Sequence, residues 1–133
     1  MTNTFLLNDF YTIESLQKQE PNTLLAKVKL NEAHAIFKGH FEQMPVVPGV
    51  CQTQIIKELL QQTLSKDLIL ANGKNIKFTG MIIPTQNLII NIELTYQEIE
   101  NKFVVDAKLF FENTIFTKFK GTFIENINNQ MEY

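Results

Sequence analysis

Tryptophan is missing from this sequence, cysteine occurs once, and only five glycines and four prolines interrupt it. Each shortage closes off a class of protein. A lone cysteine, Cys51, cannot form an internal disulfide, which excludes a secreted scaffold stapled by such bridges. Neither sign of charge is in excess: 12 Lys and Arg stand against 14 Asp and Glu, a net charge of -2. Without a basic footprint, no nucleic-acid partner is expected. Asn, Gln or Lys breaks every apolar stretch well short of the ~20 residues a membrane span needs, so no membrane partner is expected either. The stretch Met1–Asp9 has no basic start and only a short apolar run, which argues against a signal peptide. The expectation is a soluble protein of a reducing, cytoplasmic compartment. At 133 residues, the chain suits a single domain over 1–133 with one hydrophobic core.

What is present is mostly period two. Leu24, Ala26, Val28 and Leu30 alternate with Lys27 and Lys29, and Leu88, Ile90, Ile92, Leu94 and Tyr96 with Asn91, Glu93 and Thr95. The same holds for Phe103–Phe111 and for Ile115–Phe123. Turn-like pieces separate the runs: Asn72–Asn75, Pro84–Asn87, Glu100–Lys102 and Glu112–Asn113. This predicts an antiparallel meander of long strands. Gly49–Ser65 breaks the pattern, with Val50, Ile55, Ile56, Leu59, Leu60 and Leu64 at helical spacing and Pro48 just ahead. The fold class is therefore α+β: strand or strands, one long helix, then four or more strands that wrap it.

The stretch from His34 to Val50 carries the chemistry. It reads as a loop held by Pro45 and Pro48 that feeds directly into the helix start. A helix start offers unpaired N–H groups and the positive end of the dipole. The amides of Gly49 and Val50 would be those groups, and Gly49 has no side chain to keep a ligand away. A carbonyl oxygen gaining negative charge is the natural guest. His40, on the same loop, suits a general base for a proton beside that carbonyl. A hydrogen-bonded loop histidine and a rigid strand-to-helix connector are the plainer readings of the same residues.

Gly39-His40-Phe41 followed by Pro45-Val46-Val47-Pro48-Gly49-Val50 closely resembles the Gly-His-Phe-Pro-Gly-x-Pro-apolar-apolar-Pro-Gly signature of 3-hydroxyacyl-acyl-carrier-protein dehydratases. These are the FabZ/FabA-like branch of the hotdog superfamily. Ile76-Lys77-Phe78 through Pro84 is similar to the family's strand after the helix, and the resemblance runs from about Leu24 to Phe123. It implies a hotdog fold, a curved antiparallel sheet around one central helix. It also implies a dehydratase that converts 3-hydroxyacyl thioesters to trans-2-enoyl thioesters in fatty-acid or polyketide-type synthesis. His40 would remove the C2 proton and the Gly49 amide would bind the thioester carbonyl. Pro48 and Val50 would contact the substrate, and Phe37, Phe41 and Phe78 would line an acyl channel.

The chain departs from the signature in two places. The helix acid of the family falls on Gln54, which can hold a hydroxyl or water but cannot supply a proton. Glu42-Gln43 replaces the usual Pro-Gly. Glu58, one helical turn beyond Gln54, is a weak substitute acid and is expected to be a solvated helix charge. Two alternatives therefore stay open: a catalytically impaired acyl-thioester-binding subunit of a hetero-oligomeric dehydratase, and an acyl thioesterase. The resemblance implies no cofactor, a carrier-protein or coenzyme A thioester as substrate, and a homodimer or higher oligomer, or a heterodimer with another hotdog subunit. Lys38, Lys57, Lys74 and Lys77 are candidates for docking the carrier. His34 lacks ligand partners at metal spacing and is expected to be a loop histidine, and Cys51 a small packing residue.

Overall fold

The computed structural model describes residues 5–37 and 45–127. The alternating runs become strands β2 (Thr23–Leu30), β4 (Ile89–Ile99), β5 (Lys102–Phe111) and β6 (Thr114–Glu125). With β1 (Tyr11–Gln19) and β3 (Leu68–Phe78) they form one antiparallel sheet in the order β1-β2-β4-β5-β6-β3. Helix α1 (Gly49–Leu64) supplies the other half of the core. Leu24, Val28, Ile92, Leu94, Phe103, Val105, Phe119 and Phe123 of the sheet are buried in one cluster with Ile55, Ile56, Leu59 and Leu60 of the helix. Each such side chain contributes roughly 1.5–3 kcal/mol when fully buried, so one face of the sheet is committed to the helix. The intervening residues Lys27, Lys29, Lys118 and Lys120 point to the other face and stay exposed. This is the expected α+β hotdog arrangement, with two strands before the helix and four after it.

The boundaries follow local chemistry. Pro48 stands in the extended region (φ -62°, ψ 149°) and α1 begins at the next residue. The helix stops one residue before the expected Ser65, which adopts a left-handed φ of 55° and donates its N–H to the Gln61 carbonyl at 2.8 Å. Gln61 then accepts the Leu68 amide at 2.9 Å through its side chain, so the helix end fixes the start of β3. Glu100 and Asn101 both have positive φ (52° and 67°), which closes β4 onto β5 in two residues.

Asn72–Asn75 is not the expected turn. It lies inside β3, whose pairing with β6 shifts register between Leu70 and Asn72 and again between Asn72 and Asn75. The strand there crosses β6 at Gly121, where an added β-carbon would stand 2.8 Å from the Asn72 carbonyl oxygen. The polar, Gly-containing sequence thus serves an irregular edge strand rather than a loop. Strand β1 gave no period-two signal because its register shifts between Ile13 and Ser15, which throws Leu16 out of phase with Tyr11.

Candidate functional site

The amides at the helix mouth are set by what precedes them. The Pro48 carbonyl accepts from Cys51 (3.0 Å) and Gln52 (3.2 Å), so the helical ladder takes up its first donors only there. The N–H groups of Gly49 and Val50 come earlier and have no intrahelical acceptor. No acidic residue lies in the first turn, leaving the positive end of the dipole uncompensated from within the helix. The loop before the mouth is stapled twice. Val47 donates its N–H to the Ile82 carbonyl at 2.8 Å. The buried Gln52 side chain donates to the Val47 carbonyl at 3.2 Å and accepts from the hydroxyl of fully buried Thr117 on β6.

Phe78, at the end of β3, closes over Gly49. A β-carbon on Gly49 would lie 2.7 Å from Cζ of that ring and 3.1–3.2 Å from its neighbouring carbons. A side chain on Gly49 would therefore require the ring to shift. Phe78 nevertheless remains 52% exposed and Val50 76% exposed, so among the described residues the mouth is rimmed by uncovered apolar groups. Of the other expected contacts, Pro48 is half-buried at the mouth, whereas Phe37 is buried against the Phe10 ring, 5.3 Å between centroids. His40, Phe41 and Lys38 lie outside the described residues. Lys74 and Lys77 are exposed on edge strand β3, and Lys57 is half-buried on the helix.

Glu58 is not the solvated charge expected of it. It is fully buried. Its Oε2 accepts from the backbone amides of Phe5 (2.8 Å) and Leu6 (3.0 Å) and from Gln54 Nε2 (2.8 Å). Its Oε1 accepts from the Leu7 amide and the Tyr11 hydroxyl, both at 2.9 Å. Five donors replace the water that burial removed, three of them consecutive main-chain amides forming a small anion-binding concavity. Burial first, then the Glu58 charge and its hydrogen bond, push the Tyr11 phenol far above its ordinary range. The sequence signal was only the (i, i+4) spacing from Gln54; the main-chain donors could not be read from residue types.

Cys51 is buried, and burial pushes its thiol up, reinforced by the Glu58 charge, against the pull of the helix start. It packs rather than reacts, as expected. His34 accepts the Ile36 amide at Nδ1 (3.0 Å) and faces Asp9 Oδ2 from Nε2 (3.1 Å), edge-on to Phe10. Its Nε2 therefore carries the proton, and both ring nitrogens are engaged. Among the described residues, no cluster of three or more His, Cys, Asp or Glu side chains could hold a metal, and no helix is long and apolar enough to cross a membrane.

Comparison with known proteins places this geometry in context. The ApeI-like family, described as ApeI dehydratase, matches residues 16–117. The 3-hydroxyacyl-acyl-carrier-protein dehydratase FabZ of Streptococcus gordonii is 32% identical over 103 residues, which cover 68% of this chain and 72% of that one. The enzyme of the same name from Rickettsia typhi is 27% identical over 124 residues, covering 85% and 83%. In three dimensions the chain is similar to the dehydratase heterocomplex ApeI:P from Xenorhabdus doucetiae, with a TM-score of 0.69, 16% identity, and coverage of 85% of this chain and 96% of that one. At that identity the structural likeness bears on the fold, and it is the same fold.

Proposed function

The chain belongs to the ApeI-like dehydratase family, and from that premise we propose that it removes water from 3-hydroxyacyl thioesters to give trans-2-enoyl thioesters. The acyl group would be carried by an acyl carrier protein or coenzyme A. The observation that supports this most directly is the mouth of α1, where the Gly49 amide is unclaimed by the helix and glycine carries no side chain of its own.

The steps follow from charge. His40, as general base, takes a proton from C2, and the electron pair left behind moves onto the thioester carbonyl oxygen. Donors from Gly49 and Val50 and the helix dipole stabilise that oxygen as it becomes negative. The pair then returns to form the C2–C3 double bond while the C3–O bond breaks. Gln54 can hold the departing hydroxyl but has no proton to give. The imidazolium of His40 returns its proton to the leaving oxygen, so that water departs and the histidine is neutral again. These proton transfers need no cofactor. Phe78, Val50 and Pro48 supply the apolar rim for the acyl chain.

The test is hydration of a short trans-2-enoyl thioester by the purified protein, followed as loss of conjugated-thioester absorbance, beside His40→Ala. Turnover that falls by about 10²–10⁴ in the variant, with the fold intact, supports the reading. Equal turnover in both proteins would defeat it.

A second reading is favoured by Gln54 together with the edge of the sheet. Strand β3 is an unpaired edge among the described residues and exposes Ile69 and Leu70 at its start and Phe78 at its end, beside the mouth. An edge of that kind is covered by pairing with another strand. A second hotdog subunit, identical or different, docked along β3 would bring its own side chains to Phe78, and a different subunit could supply the missing acid. Activity that appears only when such a partner is added, and that still requires His40, would identify this arrangement.

A further inference from the structure

Gln54 and Glu58 form one unit, and its orientation has a chemical consequence. Val50, Gln54 and Glu58 lie four residues apart along one face of α1, passing from 76% exposed through half-buried to fully buried. Both oxygens of Glu58 accept, and together they receive four donors besides Gln54: the amides of Phe5, Leu6 and Leu7 and the Tyr11 hydroxyl. A carboxylate occupied in this way has only acceptor capacity to offer a neighbour. The Gln54 amide must therefore turn its nitrogen inward, as the 2.8 Å contact from Nε2 to Oε2 records. Its carbonyl oxygen is the branch of the amide that does not engage Glu58. Among the described residues, no donor reaches that oxygen.

We infer that Glu58 is a positioning residue that fixes Gln54 as a hydrogen-bond acceptor for the 3-hydroxyl of the substrate. The inference rests on the dehydratase reading and specifies how its site tells a hydroxylated chain from a plain one. An unconstrained amide could meet a hydroxyl with either its oxygen or its nitrogen. Here the buried carboxylate selects the oxygen and polarises it, since charge on Glu58 draws the amide protons and leaves more negative charge on the carbonyl. The hydroxyl donates to Gln54 and stays a hydroxyl until the imidazolium protonates it. Position 54 thus contributes recognition, while proton supply stays with His40.

The experiment measures binding of two unreactive probes by calorimetry. One is a short 3-hydroxyacyl-pantetheine whose thioester is replaced by an amide, and the other is the matched probe without the 3-hydroxyl. The intact protein is expected to prefer the hydroxylated probe by about tenfold, the worth of one hydrogen bond. Glu58→Gln removes the forced orientation, and the preference should fall toward unity while affinity for the plain probe is unchanged. Gln54→Leu should do the same, and it leaves Glu58 its four other donors, so it tests the claim in a folded chain even where loss of the carboxylate unfolds it. Tyr11→Phe takes one donor from Glu58 without touching Gln54. It should lower stability and keep the preference, which separates orientation from mere structural support. Retention of the preference in Gln54→Leu or in folded Glu58→Gln would overturn the inference. Equal binding of both probes by the intact protein would overturn it alone, whereas binding of neither would overturn the thioester reading as well.

Discussion

The Phe78 ring occupies the space that a side chain on Gly49 would need, with Cζ 2.7 Å from the position of the missing β-carbon. The end of an edge strand and the first residue of the helix thereby form a single surface at the mouth. Glycine at a position whose backbone suits alanine normally costs about 0.4–1 kcal/mol, through the greater freedom of the unfolded chain. That cost is accepted here for the sake of the ring.

Gly49→Ala is therefore expected to act oppositely in two backgrounds. Alone, it should destabilise by about 1 kcal/mol, because the ring must move or the mouth must open. In the Phe78→Ala background the space is free, and the same change should stabilise by about 0.5–1 kcal/mol through helix propensity. Denaturant unfolding of the four proteins in this cycle gives the coupling directly. Additive effects would show that ring and glycine do not oppose each other.

Alkaline pH is expected to unfold the protein through Tyr11 and Cys51. Both groups hold their protons in the fold more tightly than in the unfolded chain, whose ordinary values are 10.0 for the phenol and 9.0 for the thiol. Their contribution to stability is whole below those values. It is lost as pH rises above them, because the unfolded state then sheds protons that the folded state keeps. Each group adds up to about 1.4 kcal/mol of lost stability per pH unit while it remains protonated in the fold. Stability measured from pH 8 to 11 should fall with a slope that Tyr11→Phe reduces above pH 10. Cys51 should also resist thiol reagents at pH 8 until the protein is unfolded.

Thr117→Val keeps the shape of a fully buried side chain and removes the hydroxyl that donates to Gln52. The Gln52 carbonyl oxygen is then buried without that donor, at a cost of about 1–3 kcal/mol. Thermal unfolding should register the loss as a lowered Tm, and a change below 0.3 kcal/mol would show that the loop does not depend on this staple.

Much of the fold was legible because its core strands are buried on one face only. β2, β4 and β5 write their orientation into the sequence residue by residue, and α1 announces itself by breaking that period. Edge strands do not. β3 is exposed over most of its length and irregular in register, so Asn72–Asn75 carries turn composition without making a turn. At the site, Gly49 and Phe78 were found as separate candidates, and only the fold shows that one excludes a side chain from the other. Glu58 was misjudged for a related reason. Its burial is compensated by main-chain amides 51 to 53 positions away, and amides have no residue type to read.

That mode of compensation divides the burden of inheritance unevenly. Because Glu58 grips the N–H groups of residues 5–7 and not their side chains, the grip itself excludes only proline, which lacks the donor. Exposed Phe5 is free to change identity as the sequence drifts, while Leu6 and Leu7, packed against the core, need only stay apolar. The glutamate has no such latitude. A tether of this kind can keep its place in the fold long after the tethered segment has become unrecognisable as a sequence.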